Sequence, residues 1–267
     1  MRKKCYFLLM LSFLFGSCSI FLTPTEKLNQ KADHYINQGN VNRAIPFVKK
    51  SAKRGNAEAQ YNLGYCYEKG VGVEIDQNKA IKWYQKSAEQ NYTDAEYALM
   101  MAYAEGKGVE KNQETAFKYA LRCAQKNDPT CMFNVIGSYQ DGRGVEADST
   151  ELLKWAFKLA KLPNPKNQYQ SGKITSARLQ IAQMYTTGNL VEQDLYEAYK
   201  WYLIYNENKE DVAYLQQEQI ISKIKQIESN LNKVQIKQAK EEAEYLIERP
   251  LKNLNQLYRA KQSPGLN

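Results

Sequence analysis

The sequence predicts an all-α fold: a right-handed α-solenoid of antiparallel helix pairs with a C-terminal helical cap. Three observations support this prediction. A motif recurs every 36 residues through the middle of the chain, and a fixed period of this size is typical of stacked supersecondary units. Apolar residues within each copy have helical spacing. Two Lys/Glu/Gln-rich helical patterns with an apolar stripe follow the repeats, and such a pair suits the exposed end of a solenoid.

The chain begins with a segment that predicts export. Residues 1–4 are basic, residues 5–15 are apolar, and Phe15-Gly16-Ser17-Cys18 places small residues before a cysteine, which is the order of a signal peptide. The last four residues resemble a bacterial lipobox, although Phe15 stands where leucine is usual. This resemblance implies a signal peptide over residues 1–17 and acylation of Cys18. More than one acyl chain would make membrane attachment stable.

Two other interpretations of this segment remain open. One is ordinary secretion. The other is an uncleaved anchor helix, because the mostly apolar stretch from Cys5 to Leu22 is near the lower length limit for a membrane span. Lipoprotein sorting rules of this kind imply the outer membrane when the residue after the cysteine, here Ser19, is not Asp. We therefore expect a protein on the periplasmic face of the outer membrane, with a soluble periplasmic or secreted protein as the alternative.

Each repeat is predicted to form two helices joined by a glycine turn. Ala59, Leu63 and Tyr67 are spaced by four residues, so they share one helical face. The glycines that follow break the helix. Asp148 with Glu151 predicts a capping box that opens the second helix, and Trp83 is predicted to lie in the core on the apolar stripe of that helix. Equivalent positions in the four repeats are Tyr67, Tyr103, Tyr139 and Tyr185, then Gly70, Gly106, Gly142 and Gly188, then Trp83, Tyr119, Trp155 and Trp201.

The repeated residues resemble a known family. The motif at 57–88 is similar to the Sel-one-like repeat (SLR), a relative of the tetratricopeptide repeat. Degenerate copies follow at 93–128, 129–162 and 175–208, and residues 24–56 resemble a tetratricopeptide-like first pair. The polar segment 163–174 is predicted to be a loop between the third and fourth copies, and Leu190 replaces the second turn glycine of the fourth copy. The predicted domains are therefore the solenoid at 18–208, capping helices at 209–250 and a loose tail at 251–267.

The resemblance also implies a disulfide. Cys123 and Cys131 lie across a turn between two helices, and their C-x7-C spacing resembles the bridge of secreted cysteine-rich SLR proteins. An oxidising compartment would favour this bridge. Two buried free thiols remain the alternative, because sequence does not fix the geometry. Cys66 aligns with small residues and is predicted to be a buried thiol.

The composition leaves little room for catalysis. The chain has one histidine, His34, so no zinc-ligand cluster is predicted. Ser222-Lys223-Ile224-Lys225 matches the S-x-x-K motif of β-lactam-binding enzymes, but no S-D-N or K-T-G companion accompanies it. The net charge is +8, yet no basic run with interleaved aromatic residues suggests nucleic-acid binding. We expect a monomer with no enzymatic activity, no metal and no cofactor.

The predicted function is binding of a protein or peptide in a concave groove lined by the first helices of the repeats. Side chains opposite the core face should line this groove, and a solvated helix surface is the alternative interpretation. Amide side chains there can donate and accept hydrogen bonds, and a tyrosine can make a rigid aromatic contact. The candidate residues are Asn62, Tyr65, Met101, Asn134, Gln180 and Gln183.

Three functional classes fit this arrangement. The first is a membrane-tethered periplasmic scaffold. The second is an immunity protein that neutralises a secreted, type VI-like toxin. The third, a β-lactam or cell-wall enzyme, has only the S-x-x-K match in its favour.

Overall fold

The computed structural model describes residues 24–207 and 214–254. Within these ranges the chain forms twelve α-helices and no strand, so the predicted all-α fold is confirmed. No helix in the described part of the chain has the length and hydrophobicity needed to cross a bilayer. Residues 1–23, 208–213 and 255–267, which include the predicted signal peptide and Cys18, lie outside the described residues.

The helices alternate between first and second members of successive pairs. They are α1 (Pro24–Asn37), α2 (Val41–Lys53), α3 (Ala57–Lys69), α4 (Gln77–Glu89), α5 (Thr93–Glu105), α6 (Gln113–Gln125), α7 (Pro129–Asp141), α8 (Ser149–Ala160), α9 (Gln168–Thr187), α10 (Leu195–Asn206), α11 (Tyr214–Glu228) and α12 (Lys233–Leu246).

The chain divides into two compact units, Met1–Ala95 and Glu96–Asn267. In the first unit, helices α1 to α4 contact one another in chain order. In the second unit, α6 to α10 do the same, and α10 also packs against α11 and α12. Helices that contact mainly their neighbours along the chain are the defining feature of a repeat protein.

The turns inside the repeats follow one pattern of hydrogen bonds. At the start of α8 the Asp148 side chain accepts from the backbone N–H groups of Thr150 and Glu151, which satisfies two of the unpaired amides of the first turn. The predicted reciprocal bond from Glu151 is not formed. The Asp148 N–H donates to Tyr139 O at 3.1 Å instead, so it needs no second acceptor, and Glu151 pairs with Lys154.

Trp83, which was predicted to lie in the core, packs against the edge of the core of the first unit. Tyr84 is 2% exposed, whereas Trp83 is only half-buried. The Lys86 ammonium nitrogen lies 4.6 Å from the centroid of the Trp83 ring. Tyr84 takes the interior position because Gly64 leaves room for its ring, which lies 2.7 Å from where a Cβ on Gly64 would be. The equivalent Trp155 and Trp201 are buried, as predicted for this position.

The predicted loop at 163–174 is wrong in its second half, because α9 begins at Gln168. Asn167 caps this helix by accepting from the N–H of Gln170. Gly172 lies inside the helix, where a glycine costs only about 1 kcal/mol relative to alanine. The glycine and the polar composition therefore did not mark a helix end here.

The structure also differs from the expected loose tail at residues 251–254. The carboxylate of Glu207 accepts hydrogen bonds from the N–H groups of Lys252 (2.9 Å) and Asn253 (2.8 Å). Asn253 and Asn206 exchange side-chain to backbone hydrogen bonds, and Leu251 is buried. The segment after Pro250 is thus fixed to the end of α10.

Candidate binding faces of the first helices

In the first unit, Asn62 and Tyr65 both lie on α3, and Asn62 lies next to α1. We call this surface the α1/α3 face. Asn62 is half-buried and lines a recess of about 20 Å³ together with Asp33 and Ile36 of α1. Tyr65 is 44% exposed and Ile36 is 43% exposed. The side chains of Asn62 and Tyr65 make no hydrogen bond within the described residues, so their polar groups remain available to a ligand.

In the second unit, Met101 of α5 and Asn134 of α7 line one pocket of about 60 Å³, which we call the α5/α7 pocket. Phe117 of α6 contributes an aromatic wall. The Asn134 side-chain nitrogen donates to Thr130 O at 2.8 Å, so one of its donors is already used, and its carbonyl oxygen remains to accept. Two residues predicted from consecutive first helices therefore lie at the same site.

The α5/α7 pocket also contains a cation that was not predicted from the sequence. Arg143, in the turn after α7, lines the pocket, and its Nε pairs with Asp141 at 3.2 Å. A Cβ on Gly137 would lie 2.8 Å from the Arg143 side chain, so the absence of a side chain at 137 lets Arg143 lie across α7. Position 137 is equivalent to Tyr65 and Met101. A glycine at the repeat position that holds Tyr65 and Met101 in the preceding copies was the signal in the sequence that could have revealed this cation.

Gln180 and Gln183 lie on the exposed side of α9. Their side chains make no hydrogen bond within the described part of the chain. They do not line the α5/α7 pocket, although α7 and α9 are in contact. The structure therefore brings Met101 and Asn134 together and leaves the two glutamines on a neighbouring open surface.

The first two turns of α9 add aromatic and cationic groups that were not predicted. The Lys173 ammonium nitrogen lies 4.3 Å from the centroid of the Phe133 ring, on α7, and 4.8 Å from the centroid of the Tyr169 ring. Tyr169 is 61% exposed, so this cation–π cluster is open to solvent. Tyr169 and Lys173 lie in the segment predicted to be a loop, which is why helical spacing did not reveal the cluster.

Cys123 and Cys131 are joined by a disulfide bond in the structure, with their Cα atoms 5.7 Å apart. The bridge links the end of α6 to the start of α7, two elements of the second unit. Asp128 lies close to both sulfur atoms, but sulfurs in a disulfide are not thiolate ligands for a metal. Cys66 is a buried free thiol, and burial raises its pKa while the nearby Lys49 opposes the shift.

The residues considered for catalysis lie on open surfaces. His34 is exposed on α1 and contacts the Gln38 amide. Ser222 and Lys225 of the S-x-x-K match are both exposed on α11. Neither place provides the water-excluded pocket in which catalytic groups are usually held.

Helix pairs stacked in chain order and joined by turns with left-handed glycines define an α-solenoid repeat protein. A family model described as Sel1 repeat matches residues 57–92, 93–128, 136–164 and 175–204. The chain contains four Sel1 repeats and belongs to the Sel1 repeat family. Sel1 repeats are generally non-catalytic scaffolds that mediate protein interactions.

Several solved structures are similar to this chain. A Sel1 repeat protein from Oxalobacter formigenes is 26% identical, with a TM-score of 0.60, and the match covers 73% of this chain and 76% of that one. A protective antigen with an SLR fold from uropathogenic Escherichia coli is 23% identical, with a TM-score of 0.43, and the match covers 91% of this chain and 57% of that one. A protein described as a Sel1 repeat protein from Klebsiella pneumoniae subsp. pneumoniae is 14% identical, with a TM-score of 0.42, over 73% and 92% of the two chains. No curated protein matches the chain significantly.

Proposed function

We propose that this protein is a non-enzymatic scaffold that binds a protein or peptide partner on the exposed faces of its first helices. The α5/α7 pocket is the observation that carries the proposal. There, an apolar thioether, an aromatic ring, an amide and a guanidinium from separate elements surround one recess. This mixture suits a peptide that presents an apolar side chain and backbone carbonyl groups.

The chemistry of the α5/α7 pocket defines which part of a partner it can hold. Met101 and Phe117 offer apolar surface, and a methionine adapts its shape to different side chains. Arg143 donates hydrogen bonds, and Asn134 Oδ1 accepts them. An extended peptide needs both kinds of partner for its backbone, which supports a peptide or an exposed loop as the bound element.

We further propose that Cys18 tethers the scaffold to the periplasmic face of the outer membrane. The basic, apolar and small-residue order of residues 1–18 supports this part of the proposal. With the first helix starting at Pro24, the tether is about six residues long and reaches at most about 20 Å. Partners would therefore bind close to the membrane surface.

Site-specific photo-crosslinking in cells tests the proposed faces. A photoreactive amino acid replaces Tyr65, Met101 or Gln180 in the full-length chain, and adducts are identified by mass spectrometry. Asn78 and Tyr245 are the control positions, because both are exposed and neither lies on a first helix. We expect adducts with one partner at the three test positions and none at the controls.

The identity of the cross-linked partner separates the two roles considered for a scaffold of this kind. A resident envelope protein would assign an organising role, and a delivered toxin would assign a neutralising role. Adducts of equal yield at Asn78 and Tyr245, or none at the three test positions, would place the binding surface elsewhere.

Substitutions then measure the contribution of each face. Tyr65→Ala and Met101→Ala should each change the free energy of unfolding by about 0.5 to 2 kcal/mol, because both side chains are partly exposed. Combined, they should weaken partner affinity more than tenfold, which corresponds to about 1.4 kcal/mol. Tyr245→Ala removes the same side chain from a position 84% exposed on α12 and should leave affinity unchanged.

A further inference from the structure

A cavity of about 300 Å³ in the second unit lies where the ends of α8 and α12 meet α9. None of the six predicted binding residues lines it. Its walls combine apolar and charged side chains. The charged ones are Lys161, Arg178, Glu248 and Arg249.

Arg178 is the buried cation of this cavity, with only 3% of its surface exposed. Its Nε donates to Ala160 O at 2.9 Å, its Nη1 to Asn164 Oδ1 at 2.6 Å and its Nη2 to Leu162 O at 2.8 Å. A guanidinium has five N–H groups, so two have no acceptor within the described residues. All three acceptors are uncharged, whereas a buried charge is normally paired with an opposite one.

The charges around the cavity leave an excess of one positive charge. Arg249 pairs with Glu207, at 3.4 Å, which leaves Lys161, Arg178 and Glu248 as the remaining formal charges. Burial, followed by the positive charge of Arg249, lowers the pKa of Arg178 to about 10. Arg178 is therefore still protonated at neutral pH, and a bound monoanion would balance the excess charge.

The first repeat shows that this charge is not needed to hold the helices together. Gln60 occupies the position equivalent to Arg178, and its side chain donates to Ala52 O at 3.2 Å. Ala52 is itself equivalent to Ala160, the carbonyl that Arg178 Nε contacts. An uncharged amide therefore binds the end of the preceding helix in one repeat. The charge of Arg178 calls for a different explanation.

We propose that this cavity binds a carboxylate, held by Arg178 and Lys161 with the apolar body of the ligand against Leu162 and Ile247. A planar guanidinium and a carboxylate form two parallel hydrogen bonds, which matches the two remaining N–H groups. The volume is at the lower end for ligand sites, about 300–1,000 Å³. It suits a small free carboxylate or the last residue of a peptide.

Isothermal titration calorimetry of the full-length chain in mild detergent tests the proposal. The probes are benzoate and the peptide acetyl-Ala-Ala-Leu with a free carboxylate, each compared with its uncharged amide, together with inorganic phosphate. We expect at least one acid to bind at least tenfold more tightly than its amide. Benzoate alone would indicate a free small carboxylate, the peptide acid alone would indicate a chain terminus, and either result supports the site.

Arg178→Gln copies the side chain of the first repeat and should keep the helix contact while removing the charge. We expect it to abolish the tenfold preference for the acid. Lys161→Gln changes an exposed side chain, so it tests the site even if Arg178→Gln folds poorly, and it should weaken acid binding at least threefold. Arg43→Gln, at an exposed arginine of the first unit, is the matched control and should change nothing.

Three results would overturn the proposal. The first is that neither acid binds more tightly than its amide. The second is that the preference survives in folded Arg178→Gln, or that Lys161→Gln binds the acid as tightly as the unchanged protein. The third is that phosphate binds more tightly than both acids, which would assign a nonspecific anion site instead.

Discussion

The turn between α7 and α8 allows a clean test of why glycine occupies particular repeat positions. Gly142 and Gly144 have nearly the same backbone conformation, with φ of 67° and 72°. They differ in their surroundings. A Cβ on Gly142 would have its nearest neighbours at 3.8 Å, whereas a Cβ on Gly144 would lie 2.0 Å from the backbone oxygen of Gln113. Alanine at 142 tests the conformation alone, and alanine at 144 adds the clash.

The expected magnitudes follow from these two differences. A left-handed conformation costs an L-residue about 1–2 kcal/mol, and the reduced entropy of the unfolded alanine chain returns about 0.4–1 kcal/mol. Gly142→Ala should therefore lower the free energy of unfolding by about 1 kcal/mol. Gly144→Ala must also move backbone at the start of α6, and overpacking of this kind costs about 1–3 kcal/mol more.

Urea and thermal unfolding of the second unit measure this difference. Trp155 and Trp201 lie in that unit and are buried, so loss of their blue-shifted fluorescence reports its unfolding. At about 2–4 °C per kcal/mol for a unit of this size, Gly144→Ala should melt several degrees below Gly142→Ala. Equal losses for the two variants would show that close approach to Gln113 is not the reason for glycine at 144.

Three further predictions concern attachment, the disulfide and the fourth repeat. Cys18→Ser should release the protein into the soluble periplasmic fraction or leave an unprocessed precursor, and unchanged fractionation and size would contradict acylation. Mass mapping of non-reduced peptides should link Cys123 to Cys131, and a free Cys123 in periplasmic protein would refute the bridge. Cys123→Ser should lower the free energy of unfolding by up to about 2.6 kcal/mol, because the unfolded chain regains the entropy of the open loop. Leu190 has a φ of 64°, a left-handed conformation that is strained for leucine. Leu190→Gly should therefore raise the free energy of unfolding by about 0.5–1 kcal/mol, and with it the melting temperature. An unchanged melting temperature would show that the strain is relieved elsewhere.

The helix pairs could be predicted from sequence because their signals are local. The residues that cap the second helices, such as Asp148, bond to amides two or three positions away. The glycine that ends a first helix, such as Gly70, adopts a φ of 73° within a single turn. Short-range interactions of this kind repeat faithfully, so a 36-residue period was sufficient to place them.

The errors arose where contacts between distant segments decide the outcome. Tyr84 is more deeply buried than Trp83 because Gly64, in the preceding helix, makes room for its ring. The segment after Pro250 is ordered because Glu207 binds its backbone amides from 45 and 46 residues away. Arg143 reaches the α5/α7 pocket from a turn. None of these contacts produces a periodic pattern in the sequence.

One repeat position shows how a uniform backbone can support different chemistry in each copy. Gln60 bonds to the preceding helix end through an amide. At the equivalent place Glu96 is ion-paired with Arg122 and Lys126, Met132 is apolar and fully buried, and Arg178 lines a cavity. The backbone tolerates all four because the turns and caps, rather than this side chain, fix the helix pair. Residues that are the same in every repeat therefore maintain the stack, and a position where the repeats differ, such as this one, can take a different role in each copy.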